Sequence, residues 1–165
     1  MEESETGHYV ELWKQTIAVQ QHFNDICWRI RGLALTAMTF ALGAAAVAVQ
    51  EDVAIRVFGS TFEFGAAILR LGVLLWSAFS FVDRFWYHQL LKGAVVHGEK
   101  LEKELRKRLP AAGLTRQISE SSPTRFGLRW RRTGFVLHST AKLNIFYLLG
   151  ILVLLVLAVA VLVGA

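Results

Sequence analysis

One apolar stretch carries charged and hydroxyl side chains at a regular interval. Glu63, Arg70, Ser77 and Arg84 recur every seven residues, and an α-helix drifts by only about 20° over seven residues. All four therefore share one helical face, with Ser80 close to the same stripe. A polar stripe on a membrane helix faces protein or water rather than lipid. The chemistry such a stripe offers is that of a pore lining. A plainer account competes: Glu63 and Arg84 mark the two ends of the helix, and Arg70 and Ser77 make ordinary interhelical contacts.

A second group lies at Arg129, Trp130, Arg131 and Arg132, with Arg125 and Phe126 just before it. Guanidinium groups pair with phosphates and an indole stacks on a base, so this cluster has the composition of a nucleotide or oligonucleotide site. The same residues beside a membrane span would also attract anionic lipid headgroups, with Trp130 as an interfacial anchor. Catalytic signatures are missing elsewhere: there is no glycine-rich phosphate loop, HExxH, paired-cysteine spacing or GxSxG elbow. His97 and Glu99 form an H-x-E, but the PCxxC half of a zinc deaminase site is absent. His22, His88 and His138 are scattered along the chain. The single cysteine, Cys27, reads as a small buried apolar side chain. The sequence thus predicts no enzyme, no metal site and no cofactor.

Three apolar stretches must position these residues. Residues 145–165 hold no charge, and 21 residues at about 1.5 Å each cover the roughly 30 Å hydrocarbon layer of a bilayer. Residues 32–50 are likewise uncharged, and their small residues Ala37, Ala41, Ala45 and Ala48 permit close helix approach. Residues 64–82 contain only Arg70, which costs a few kcal/mol at depth on insertion scales. Arg70 lies within two turns of one end, where it can snorkel or pair with Glu63. The third span is aliphatic, as a lipid-facing helix would be.

Charge gives the orientation. Residues 83–144 carry thirteen Lys or Arg against five Asp or Glu, whereas the loop 51–63 holds three acids and only Arg56. The positive-inside rule then places the amino terminus and the long connector in the cytoplasm and the carboxyl terminus outside. Residues 1–31 open on Glu2, Glu3 and Glu5 and contain no apolar core of a signal sequence.

The flanking segments read as amphipathic helices. Tyr9, Leu12, Thr16, Val19, Phe23, Ile26 and Ile30 alternate steps of three and four, a seam for helix packing. A second helix over 84–109 has a stripe of Leu91, Val95, Gly98, Leu101, Leu105 and Leu109, with Glu99, Glu102 and Glu104 among its solvated residues, and ends at Pro110. Residues 110–124 (PAAGLTRQISESSPT) hold both prolines and read as a linker.

Residues 9–37 (YVELWKQTIAVQQHFNDICWRIRGLALTA) and 83–102 (DRFWYHQLLKGAVVHGEKLE) resemble the SLATT family, small membrane effectors of bacterial anti-phage loci that accompany nucleotide-signalling enzymes. Within that family the likeness is to the channel subunits of Hailong-type defence systems. The resemblance implies a homo-oligomeric ion channel in the bacterial inner membrane, with a tetramer among the candidate assemblies. Its control would come from an oligonucleotide made by a partner nucleotidyltransferase. SLATT proteins typically have two spans, whereas this chain offers three.

The expected fold is an all-α membrane protein with three transmembrane helices and two cytoplasmic amphipathic helices. Its segments are a cytoplasmic helix at 1–31, a transmembrane hairpin at 32–82, a basic helix and linker at 83–142, and a third span at 143–165. The expected function is a homo-oligomeric channel or pore effector controlled from the cytoplasm by a nucleotide or oligonucleotide, with anionic lipid as a further partner. The alternative is a non-conducting scaffold that recruits a cytoplasmic partner.

Overall fold

The computed structural model describes residues 2–57, 60–126 and 135–164. Five α-helices carry most of the chain: α1 (Glu2–Gln50), α2 (Phe64–Val82), α3 (His88–Leu105), α4 (Leu114–Ser121) and α5 (Ser139–Gly164). A π-helical turn, Asp83–Tyr87, joins α2 to α3. Two short antiparallel hairpins complete the order: β1 (Ala54–Val57) with β2 (Ser60–Glu63), and β3 (Thr124–Phe126) with β4 (Phe135–Leu137). Among the described residues three helical segments are long and apolar enough to cross a membrane.

No proline interrupts α1, and its 49 residues extend for about 73 Å. It stops at a two-bond C-terminal cap. The Val53 N–H donates to the Ala48 carbonyl at 2.9 Å and the Asp52 N–H to the Val49 carbonyl at 3.3 Å. Asp52 takes the left-handed conformation this cap requires, with φ of 50°. The chain then enters the first hairpin, in which Ala54 pairs with Glu63 and Val57 with Ser60. The sequence reads this segment as a loop, because four-residue strands show too little alternation to stand out.

The chain divides into two compact units. The apolar unit holds Trp28–Asp83 and Leu143–Ala165. Its core gathers Ala34, Ala45, Leu69, Trp76, Tyr147 and Leu154. Small residues let α1 and α2 approach: a Cβ on Gly72 would stand 3.1 Å from Ala41 Cβ, and one on Gly65 would stand 3.2 Å from the Ala45 carbonyl oxygen. The α5 helix is not uniformly lipid-facing. Leu143, Tyr147, Gly150, Leu154 and Ala158 form a buried stripe along it, and at Gly150 the absent side chain is replaced by the indole of Trp76. That indole donates to the Tyr147 carbonyl at 2.8 Å.

The polar unit holds Met1–Cys27 and Arg84–Lys142. Leu101, Leu105 and Cys27 are buried in it, as the sequence led one to expect. The α1 seam runs differently from the apolar pattern. Leu12 and Val19 are about half exposed, whereas Trp13 and Gln20 turn inward: the Gln20 amide donates to the Ala94 carbonyl at 3.0 Å, and Trp13 reaches Glu102. Polar side chains that find partners displace apolar ones from the seam. Residues 110–124 are also more than a linker, since they contain α4.

Candidate functional site

Of the seven-residue stripe, Arg70 and Ser77 lie on α2, with Ser80 on the same helix. Glu63 is the last residue of β2 and precedes α2 as its N-cap. Arg84 falls in the π-helical turn, with its guanidinium 5.1 Å from the Phe85 ring centre. The buried face of α2 is Gly65, Ala66, Leu69, Gly72 and Trp76. Arg70 is exposed and lies about 100° round the helix from the centre of that face, at the edge of the exposed side, next in helical projection to the exposed Leu74 and Phe81. Ser77 and Ser80 are half-buried on the margin between the two faces.

These polar groups differ in what they need. The Ser77 hydroxyl donates to the Val73 carbonyl at 2.7 Å, and on α1 Thr36 and Thr39 bond back to Gly32 and Leu35 in the same way. A hydroxyl satisfied by its own helix can face lipid. Arg70 has no hydrogen bond or ion pair to any described residue, so its guanidinium, a fork of five donors, is not satisfied by the described residues.

A second charged group sits at the end of α2. Asp83 is fully buried; Arg31 Nε donates to it at 2.7 Å and Nη2 at 3.3 Å, and the Tyr147 hydroxyl donates at 3.0 Å. One carboxylate thus ties α1 and α5 to the end of α2. The π-helical turn begins at this residue, and such turns recur at functional sites. Asp83 is not conspicuous in the sequence, because a charge at a span boundary normally marks the water interface. The one signal there is an Arg, an Asp and a Tyr, each at or near a border of a different apolar stretch.

Glu102 corrects the reading of α3 as solvated around its apolar stripe. It is fully buried and caps α4 from a different helix. The Thr115 N–H donates to its carboxylate at 2.6 Å, the Arg116 N–H at 3.1 Å and the Trp13 indole at 3.1 Å. Gly113 supplies no side-chain cap, so these donors of the first turn depend on Glu102. Burial works against the carboxylate charge, but the Thr115 and Arg116 amides, with the Trp13 indole, outweigh it and hold the group below the usual carboxylate range.

The pH consequence follows from that depression. Glu102 contributes stability above the ordinary carboxylate range, and the contribution is lost as pH falls through its lowered folded value. Amide protection at Thr115 and Arg116 is therefore expected to hold at neutral pH and collapse in acid. Glu102→Gln keeps one acceptor oxygen, so it should weaken α4 docking by about 1 kcal/mol and flatten the acid dependence. Protection in Glu102→Gln equal to that of the native chain would show that the cap carries no stability.

Arg129, Trp130, Arg131 and Arg132 lie outside the described residues. Among the described residues no group of His, Cys, Asp and Glu could hold a metal ion.

The fold is helical, and among the described residues three helices are long and apolar enough to cross a membrane. No family model, curated protein or solved structure matches the chain.

Proposed function

We propose that the chain is the subunit of a homo-oligomeric membrane channel, an effector in the bacterial inner membrane with its amino terminus in the cytoplasm. The observation that carries this reading is Arg70: exposed, unpaired among the described residues, and on the outward face of an apolar helix. A guanidinium costs about 2.5–3.5 kcal/mol at the bilayer centre on insertion scales and less nearer the interface, and water or a second subunit removes the cost. One chain cannot enclose a path, because Trp76, Leu69 and Leu154 fill the interior of its apolar unit. Association of several copies through the Arg70 face of α2 gives the charge an aqueous environment and makes a pore.

Control from the cytoplasm belongs to the same proposal. The polar unit there would present α1, α3 and the basic connector, and the cluster at Arg129, Trp130, Arg131 and Arg132 has the composition to take an oligonucleotide. Such a ligand would come from a nucleotidyltransferase, with anti-phage defence as the setting. A scaffold reading draws support from one feature: Leu114 and Ile118 leave an apolar face of α4 exposed, open to a partner.

Thiol labelling tests the channel. With Cys27 replaced, Leu74→Cys on the Arg70 face should react with a charged, water-soluble thiol reagent in reconstituted vesicles. Leu152→Cys, exposed on α5, should face hydrocarbon and stay unlabelled. Equal protection of both positions would remove the α2 face from any aqueous path.

A further inference from the structure

We propose that the path conducts small anions, and that a ring of Arg70 side chains, one from each copy, sets its selectivity. The inference rests on the channel reading above and names the permeant class at the same site.

The three apolar stretches 32–50, 64–82 and 145–165 contain one charged side chain between them, Arg70. Whichever faces of these helices line a route through the hydrocarbon, the only fixed charge they can bring to it is positive. Position and exposure make Arg70 available for that role. It stands six residues into α2, about 9 Å from the helix start, on the exposed side of the helix. It also has no carboxylate partner among the described residues, so none of them cancels its charge.

Three acids lie towards the same end and must be weighed against it. Glu51 and Asp52 are exposed beyond the end of α1, where salt screens a charge over roughly 8 Å. Glu63 precedes α2, seven residues before Arg70, or about 10 Å along the axis. These acids act at the mouth, in water. Arg70 acts inside, between apolar walls, where a unit charge interacts several times more strongly with a passing ion. Rings of Arg or Lys are the side-chain solution for anion pores. Ser77, two turns further along α2 from Arg70, spends its proton on the Val73 carbonyl and adds no charge.

Reversal potentials measure the sign directly. The purified protein would be placed in zwitterionic planar bilayers under a KCl gradient, with and without a short oligodeoxynucleotide on either side. Chloride should be favoured over potassium by about tenfold or more, the scale on which a cleft of one sign concentrates counter-ions. Arg70→Gln should bring the ratio close to unity, Arg70→Lys should retain it, and Arg70→Glu should invert it. Arg70 makes no hydrogen bond or ion pair to a described residue, so the subunit fold should survive these substitutions, and gel filtration of each variant checks that the assembly does too. Potassium preference in the native channel, or an unchanged ratio in Arg70→Gln, overturns the inference. Native protein that passes no current in any of these conditions overturns the channel reading itself, and the inference with it.

Discussion

Arg31→Ala is expected to destabilise the apolar unit by about 3–5 kcal/mol, the range found when one partner of a buried ion pair is removed. Asp83 is the reason. Its side chain has no exposure to water, whereas Arg31 retains 21%, so loss of the arginine strands a carboxylate that cannot be hydrated in place. The Tyr147 hydroxyl would remain as a donor, but one neutral hydrogen bond does not compensate a buried charge. Adding Asp83→Asn to Arg31→Ala should recover a substantial part of the loss, because the neutral amide is cheaper to bury. Thermal unfolding in detergent, followed by tryptophan emission, separates the cases. A loss in Arg31→Ala below about 1 kcal/mol would place the pair with solvated surface bridges.

The second large effect is expected at Gly150. A single methyl there would overlap the six-membered ring and Nε1 of Trp76. The indole cannot slide aside freely, since it is anchored to the Tyr147 carbonyl and packed against the Phe146 ring at 5.3 Å between centroids. Gly150→Ala should therefore cost about 1–3 kcal/mol, as overpacked cores do, and Gly150→Leu more. Trp76→Phe removes the atoms that would be struck. The double variant Gly150→Ala with Trp76→Phe should lose clearly less than the sum of the two single changes, a coupling of the size seen between touching residues. Additive losses would mean that α5 shifts to make room and that the Gly150 contact is not a constraint.

The three long apolar helices were legible in the sequence because a span needs only length and the absence of charge, and both are local. Small residues facing a neighbouring helix were legible too: Ala41, Ala45 and Ala48 are buried. What escaped the reading were polar groups whose burial depends on partners far along the chain. Glu102 sits among the charged residues of α3 and reads as solvated, yet its partners are Trp13, 89 residues away, and the amides of Thr115 and Arg116. Gln20 enters the α1 seam because a carbonyl of α3 is there to receive it. In α5, Gly150 sits in an aliphatic run whose sequence carries no sign of the Trp76 indole packed against it. The polar stripe of α2 was legible as a spacing, but its elements differ: Glu63 ends a strand and Arg84 enters a π-helical turn. Arg70 is the member that the fold leaves facing outward and unpaired among the described residues.

Current through a bilayer containing the purified protein is the most direct measurement of what these helices do together. Discrete conductance steps are predicted, reduced when Leu74→Cys, in a background lacking Cys27, is modified by a bulky thiol reagent. Membranes that stay silent with and without oligonucleotide, at protein densities verified by a fluorescent label, would contradict a conducting oligomer.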